Sequence, residues 1–168
     1  KLQDSIYFRR ADDQALYVNL FVPSTLRWSE RQVTLTQRTG FPYDDTTRLT
    51  LGGGGRFELR IRVPRWAEAG VAVRINGRAQ PVKAAPGSYL GLKRTWQDGD
   101  TVEVRLPFRF HLERVMDRPN LASLFYGPVL LAAEEAEPRA DWRHVVWDAT
   151  DLGKSISGDP RTLRFTAG

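Results

Sequence analysis

Paired carboxylates are the first candidates for chemistry in this chain. Two carboxyl groups held a few ångströms apart can act as general acid and base or as nucleophile, as in glycoside hydrolysis. The available pairs are Asp12-Asp13, Asp44-Asp45, Asp98 with Asp100, and Glu134-Glu135. Adjacent carboxylates on a strand point to opposite faces, and turn chemistry explains the aspartates without catalysis. We therefore predict no catalytic residue here.

Metal ligands and thiol nucleophiles are equally scarce. The chain has no cysteine, so disulfides, thiolate metal sites and a cysteine nucleophile are excluded. Its two histidines, His111 and His144, are too isolated for metal-ligand spacing. The sequence thus predicts neither a metal site nor a cofactor within this chain.

The five tryptophans are the better functional lead, because aromatic rings stack on the apolar faces of sugars. Trp28, Trp142 and Trp147 are the carbohydrate-binding candidates, and burial in the core remains an open alternative for each. Trp66 and Trp96 lie next to strand ends, which favours a structural role as caps on an apolar core.

The elements that must position these residues are strands. Residues 57–63 alternate apolar and charged side chains, which predicts a half-buried strand that Pro64 ends. Asn76-Gly77 is typical of a type I′ turn, and Asp98-Gly99 predicts a second hairpin turn. These four turn residues, together with Trp66 and Trp96, are predicted to be structural. Strands at this spacing predict half of an antiparallel β-sandwich.

Two further segments carry expectations. The strand from Leu16 to Val22 has apolar residues on one face and Tyr17 and Phe21 on the other, so we expect a neighbouring domain to cover its second face. Gly52 to Gly55 resembles a phosphate-binding loop in composition only. A strand, and no helix, follows the four glycines, which favours a flexible hairpin connection.

The predicted fold class is all-β, an antiparallel, jelly-roll-like β-sandwich over residues 1–110. Residues 111–168 are expected to begin a second β-sandwich or to extend the first with further strands.

No apolar run approaches the length of a membrane span. The net charge of +5 comes from arginines spread singly along strands with acids among them, which argues against nucleic-acid binding. Because Lys1 is an unusual first residue, we expect a segment cut from a longer protein.

An ordered set of short motifs resembles the β-sandwich region of glycoside hydrolase family 127, the β-L-arabinofuranosidases. The resemblance runs over roughly residues 5–132 and is therefore more specific than any single motif. It rests on Tyr17-Val18-Asn19-Leu20-Phe21-Val22-Pro23-Ser24, Gln37-Arg38-Thr39-Gly40-Phe41-Pro42, Arg62-Val63-Pro64-Arg65-Trp66-Ala67, Arg74-Ile75-Asn76-Gly77, Gly87-Ser88-Tyr89-Leu90, Trp96-Gln97-Asp98-Gly99-Asp100 and Leu124-Phe125-Tyr126-Gly127-Pro128-Val129.

The resemblance implies an accessory, non-catalytic region of a bacterial glycoside hydrolase, cytoplasmic or exported. Family members are understood to use a cysteine nucleophile and a zinc site in an (α/α)₆ barrel. The matching motifs would lie upstream of the region seen here, so zinc is expected in that barrel. The barrel is the expected partner, with a homodimer contact and bound carbohydrate as open alternatives. A second hypothesis, from another class, is an independent carbohydrate-binding module.

Overall fold

A computed structural model describes residues 3–134 and 151–167. Strands dominate these residues, and their single α-helix, α1, spans only Leu152–Ser155. The predicted all-β class is therefore confirmed. The chain divides into two compact units, of which the first ends at Pro107 and the second begins at Phe108.

The first unit contains ten strands arranged in two sheets. Short 3₁₀ turns lie at Gln3–Ser5 and Ser29–Arg31. The four-stranded sheet has the order β1-β2-β6-β9, and the six-stranded sheet has the order β3-β4-β5-β10-β7-β8. The strands are β1 (Tyr7–Arg9), β2 (Ala15–Val18), β3 (Ser24–Trp28), β4 (Val33–Thr39), β5 (Thr46–Gly52), β6 (Gly55–Val63), β7 (Ala72–Ile75), β8 (Arg78–Gln80), β9 (Ser88–Trp96) and β10 (Thr101–Arg105).

Period-two alternation places the core between the two sheets. Strand β6 shows the pattern clearly, because its apolar residues are buried and its charged residues are not. The six-stranded sheet contributes the alternate apolar residues of β4, β5, β7 and β10 to the same cluster. The largest side chains with almost no accessible surface are Trp96, Leu16, Leu35, Leu49, Leu51, Leu59, Ile61, Gln37, Val18, Val33, Val63 and Val102.

One strand pair departs from the antiparallel pattern. Strands β2 and β6 are parallel, with Leu16 opposite Leu59 and Val18 opposite Ile61. Between them the chain visits the other sheet through β3, β4 and β5, so it returns in the same direction. This long crossover is what a parallel pair requires.

Two turns predicted as hairpins instead cross between the sheets. The four glycines join β5 of one sheet to β6 of the other, and residues 97–100 join β9 to β10 in the opposite sense. The glycines are not a flexible linker, because backbone lies against them. A Cβ on Gly53 would lie 2.4 Å from the Gln32 carbonyl oxygen, and one on Gly54 would lie 2.6 Å from that of Trp96.

The two crossing turns are also bonded to each other. The Gly53 amide donates to Asp98 Oδ1 at 2.7 Å, and the Gly99 amide donates to the Leu51 carbonyl at 2.9 Å. In return the Leu51 amide donates to the Asp100 carbonyl at 2.9 Å. We call the two bonded turns, residues 52–55 and 97–100, the crossing corner. Their bonds fix the position of the end of β5 relative to the start of β10.

The strand predicted from Leu16 to Val22 ends early, at Val18. Beyond it, the buried Gln37 side chain donates to the Leu20 and Val22 carbonyls at 3.1 and 2.8 Å. Residues 19–22 therefore do not continue the in-and-out alternation of β2. The Phe21 side chain points into the core and packs against Phe41. The expectation that Phe21 lies on an outer face with Tyr17 is therefore wrong.

The described residues of the second unit, 108–134 and 151–167, form two small antiparallel sheets. One has the order β11-β12-β13, formed by Phe110–Val115, Arg118–Tyr126 and Val129–Leu130. The other pairs β14 (Ile156–Asp159) with β15 (Arg164–Ala167). The rings of Phe110, Tyr126 and Phe165 pack within about 5 Å of one another. The candidate residues Trp142 and Trp147 lie outside the described residues.

Replacing Trp96 with alanine should destabilise the first unit by about 3–5 kcal/mol, as for other large buried aromatics. The indole is 1% exposed, packs on Phe57, and donates from Nε1 to the Phe57 carbonyl at 3.2 Å. Urea unfolding of the variant measures the loss. Tyr43→Ala, at a residue 67% exposed, is the control and should change stability by less than about 0.5 kcal/mol. Equal stability of the two variants would contradict the core assignment.

Candidate functional site

Trp28 lies in the core, not on a sugar-binding surface. Only 3% of it is exposed, and its ring meets Phe57 edge-to-face with centroids 5.3 Å apart. The Arg31 guanidinium covers it at 5.7 Å. A buried indole has no free face for a sugar ring, so the structure contradicts the carbohydrate-binding prediction for Trp28. Its position as the last residue of β3, opposite Val33, explains the burial.

Trp66 is half-buried and packs against the edge of the core. Its indole stacks on Phe41 with centroids 6.2 Å apart and planes 23° from parallel. Together with Phe21, these rings close the end of the sandwich next to the loop between β4 and β5.

The carboxylate pairs serve turns and ion pairs. Asp12 forms two 2.7 Å bonds with Arg10, and Asp45 bonds Arg105 at 2.9 Å. Asp44 accepts from the backbone amide two residues ahead, which is a turn-forming contact. None of these arrangements presents two free carboxyl groups to a substrate.

Asp100 is the one buried carboxylate of the described residues. Its Oδ1 accepts from Asn76 Nδ2 at 2.7 Å, and its Oδ2 accepts from the Gln97 amide at 2.9 Å. Burial by itself would raise the pKa of Asp100, but these two bonds and the charge of Arg94 outweigh it and lower that pKa. Asn76 also accepts from the Thr101 amide at 2.8 Å, so it joins the hairpin to the crossing corner.

The turn residues have the backbone conformations that their roles need. Asn76 and Gly77 have φ angles of 50° and 76°, and the β7–β8 hairpin pairs Ile75 with Arg78 across them. Gly99 has a φ of 81° in the crossing turn. A branched side chain would be strained at any of these positions.

A cluster of aromatic and charged residues lies on the outer surface of the four-stranded sheet. Arg60 bonds Glu58 at 2.9 Å and donates to the Tyr17 hydroxyl at 3.0 Å, with its guanidinium 5.3 Å above the Tyr17 ring. Tyr89 meets Tyr17 edge-to-face at 5.2 Å and donates to Asn19 Oδ1 at 2.6 Å. We call these five residues the outer cluster.

The outer cluster is ordered by its own contacts, although it faces solvent. Tyr89 is 40% exposed, and Phe8, which pairs with Tyr17 across the sheet, is 47% exposed. A Cβ on Gly91 would lie 2.4 Å from Glu58 Oε1, so the glycine leaves room for the carboxylate. The alternation in residues 57–63 predicts a solvated position for Arg60. Tyr17 and Arg60 both occupy outward positions of their strands. These strands, β2 and β6, are neighbours in the sheet, so the two side chains meet.

Within residues 3–134 and 151–167, no three His, Cys, Asp or Glu side chains form a group that could hold a metal ion. The same residues include no helix long and apolar enough to cross a membrane. The His111 ring stacks on Phe125 instead, with centroids 5.3 Å apart.

Asp100→Asn should destabilise the protein at neutral pH by about 1–3 kcal/mol, because the amide cannot accept from both donors. Since the folded pKa of Asp100 is lowered, the carboxylate contributes stability above its unfolded pKa, which is about 3.9. That contribution is lost as the pH falls through the lower, folded pKa. The stability gap between wild type and variant should therefore narrow below about pH 4, as measured by thermal unfolding. The exposed Glu68→Gln is the control, and a gap independent of pH would contradict the mechanism.

Comparison with known families gives a match over more than half of the chain. Residues 15–108 fit the family described as β-L-arabinofuranosidase, GH127 middle domain. No curated protein matches.

Solved structures agree with this match. A GH127 β-L-arabinofuranosidase from Geobacillus stearothermophilus T6 is 28% identical, with a TM-score of 0.66 over 77% of this chain and 21% of that one. A glycoside hydrolase is 26% identical, with a TM-score of 0.67 over 77% and 22% of the two chains. A GH127 β-arabinofuranosidase at 22% identity and a TM-score of 0.63, over 74% and 23%, shares the fold.

The chain thus spans little more than a fifth of the length of these structures. Its two-sheet sandwich, its crossing corner and the family match describe the same stretch of sequence. The chain belongs to glycoside hydrolase family 127, in which residues 15–108 correspond to the middle domain.

Proposed function

We propose that the first unit is a non-catalytic module of a longer bacterial β-L-arabinofuranosidase-like enzyme, where it supports the catalytic barrel. The observation that carries this proposal is the outer cluster on a domain that the family match names as a middle domain. A strand face that only meets water normally carries mobile, mixed polar side chains. Here the charged residues Glu58, Arg60, Arg62 and Lys93 lie among the unburied rings of Tyr17, Tyr89 and Phe8.

The composition of the outer cluster suits a protein partner. Tyrosine, phenylalanine and arginine are enriched in protein interfaces, where rigid rings lose little entropy on binding. Arg60 is already held by Glu58 and Tyr17, so two of its five N–H donors are satisfied before docking. A barrel surface that covers Tyr89 and Phe8 would bury apolar area, and it would have to offer acceptors to Arg62 and Lys93 on the same face.

Zinc, in this proposal, belongs to the barrel and not to this unit. The chain has no cysteine, and its described residues form no metal-ligand group, so they do not fit the zinc-thiolate chemistry understood for the family. No step of glycoside hydrolysis is assigned to residues of this chain.

Carbohydrate binding is the second candidate function. The exposed rings of Phe8 and Tyr89 favour it, since aromatic rings stack on sugars. Against it, Tyr17 and Tyr89 are nearly perpendicular, at 85°, and Arg60 covers one face of Tyr17. Two coplanar open rings, the usual platform for a sugar chain, are not formed by this pair.

The isolated chain should not hydrolyse aryl β-L-arabinofuranosides, with or without added zinc, because it has no cysteine nucleophile and its paired aspartates are engaged elsewhere. Release of the aryl alcohol measures activity. Turnover that survives repurification and disappears in Asp44→Asn/Asp45→Asn would contradict the non-catalytic assignment.

Replacing Tyr17 and Tyr89 with serine should affect the parent enzyme more than the isolated domain. The rings are half-exposed when the domain is alone but would be buried against the barrel. We expect a clear fall in the melting temperature of the parent enzyme, or separate melting of its domains, and a smaller change in the isolated domain. Differential scanning calorimetry measures both.

Tyr43→Ser is the matched control, because Tyr43 is an exposed tyrosine in the loop between β4 and β5, away from the outer cluster. Equal effects of the double variant in the two contexts would argue against docking through this face. Binding of arabinose oligosaccharides that is lost in the same variant would favour the second candidate.

A further inference from the structure

A polar hollow lies at the open side of the first unit, where the two sheets end. Its position is set by β8, the last strand of the six-stranded sheet, and β9, the last strand of the four-stranded sheet. It has a volume of about 450 Å³ and is half open to solvent. We call it the edge hollow; it is lined by Ile75, Asn76, Arg78, Gln80 and Arg94.

Three of these polar side chains occupy positions that face the sandwich interior. Arg78 pairs with Ile75 and Gln80 pairs with Val73, and both partners are buried. Cross-strand partners share a face of the sheet, so Arg78 and Gln80 lie on the inner face. Arg94 likewise shares the inner face of β9 with Leu92 and Trp96. A sandwich normally places apolar residues there, and positions that break this pattern are expected at functional sites.

The edge hollow carries an excess of positive charge. Within residues 3–134 and 151–167, the Arg78 guanidinium has no ion pair or hydrogen bond. Arg94 Nη2 lies 3.9 Å from Asp100 Oδ2, which is too long for a hydrogen bond. Both Asp100 oxygens already accept from other donors, Asn76 and the Gln97 amide. Among the described residues, Asp100 is therefore the one carboxylate within 4 Å of Arg94, and none lies within 4 Å of Arg78.

Arg94 is also held in place before any ligand arrives. Its guanidinium lies 5.1 Å from the centroid of the Trp96 ring, which is fixed in the core. Such stacking restricts the arginine without using its N–H donors. The Gln80 amide donates to the Arg78 carbonyl at 3.0 Å, which leaves Gln80 Oε1 as an acceptor.

We propose that the edge hollow binds the carboxylate of a sugar acid. Arginine presents paired N–H donors that match a carboxylate, and Arg78 and Arg94 supply them from the two sides of the hollow. Gln80 Oε1 accepts from a ring hydroxyl, and Ile75 contributes an apolar wall. The choice of a sugar acid over other carboxylates rests on the proposed role in a glycan-degrading enzyme; the anion site itself rests on the geometry.

The test is a titration of the ¹⁵N-labelled chain followed by NMR. The probes are D-glucuronate and D-galacturonate, with D-glucose and D-galactose as neutral counterparts and inorganic phosphate as a simple oxyanion. We expect the uronates to shift the backbone resonances of residues 75–80 and 94 and the Trp96 indole resonance. The neutral sugars should leave them unchanged, and phosphate should bind more weakly than the uronates.

Arg78→Gln is the decisive variant, because Arg78 is exposed and the change keeps a polar side chain of similar length. Loss of a charge-assisted pair should weaken uronate binding about tenfold or more. Arg74→Gln, at an exposed arginine on the opposite face of the same hairpin, should leave binding unchanged. If Arg78→Gln does not fold, Arg78→Lys tests the same point, since it keeps the charge but loses the paired donors.

Three results would overturn the proposal: no resonance shift with either uronate, equal shifts with the neutral sugars, or phosphate binding at least as tight as the uronates. Equal weakening by Arg74→Gln and Arg78→Gln would also overturn it. These outcomes are independent of the barrel-docking experiment. Failure of the Tyr17 and Tyr89 prediction in the parent enzyme would leave the uronate titration unchanged.

Discussion

Close backbone packing at the crossing corner is the constraint on which the first unit depends. Two of the chain's crossings between the sheets meet there, one through Gly52–Gly55 and the other through residues 97–100. Only glycine lets the two backbones approach so closely, because a Cβ at Gly53 or Gly54 would overlap a carbonyl oxygen. Trp96 fills the space beneath, and Asp98 and Asp100 bond to the backbone around it. The spacing of the sheets, and with it the shape of the core, follows from this contact.

Local signals in the sequence predicted the strands well and their partners less well. The alternation in residues 57–63 and the Asn76-Gly77 turn gave the strand β6 and the β7–β8 hairpin that the structure contains. The same local signals predicted a hairpin at Gly52–Gly55, where the chain in fact crosses to the other sheet. A tight turn has the same residue types whether it joins two neighbouring strands of one sheet or connects two different sheets. The sheet that a strand joins is decided by contacts far away in sequence. The parallel pairing of β2 with β6 is such a contact.

The candidate site residues likewise divide into those that local sequence signals could place and those that depend on long-range contacts. Trp28 was a carbohydrate-binding candidate with burial in the core left open, and its partner Val33 proves to be a core residue. Conversely, Arg94 follows Leu90 and Leu92 at the same spacing, so a strict period-two analysis would have placed it facing the core. A charged residue at an inner position was a signal that the sequence contained. The outer cluster needed the sheet order, since Tyr17 and Arg60 are 43 residues apart and meet only through β2 and β6.

The parallel pair also sets an order of events during synthesis. Within the first unit, β1 and β2 leave the ribosome before the other strands, but β2 pairs with β6, which is made about forty residues later. A two-stranded ribbon alone is marginal in water, so this N-terminal hairpin must wait without stable structure. The strands β3, β4 and β5 can form an antiparallel meander in the meantime, because each pairs with the next. The β3–β5 meander is therefore available as a template when β6 emerges, and β1 and β2 can join β6 before β7, β8 and β10 complete the six-stranded sheet.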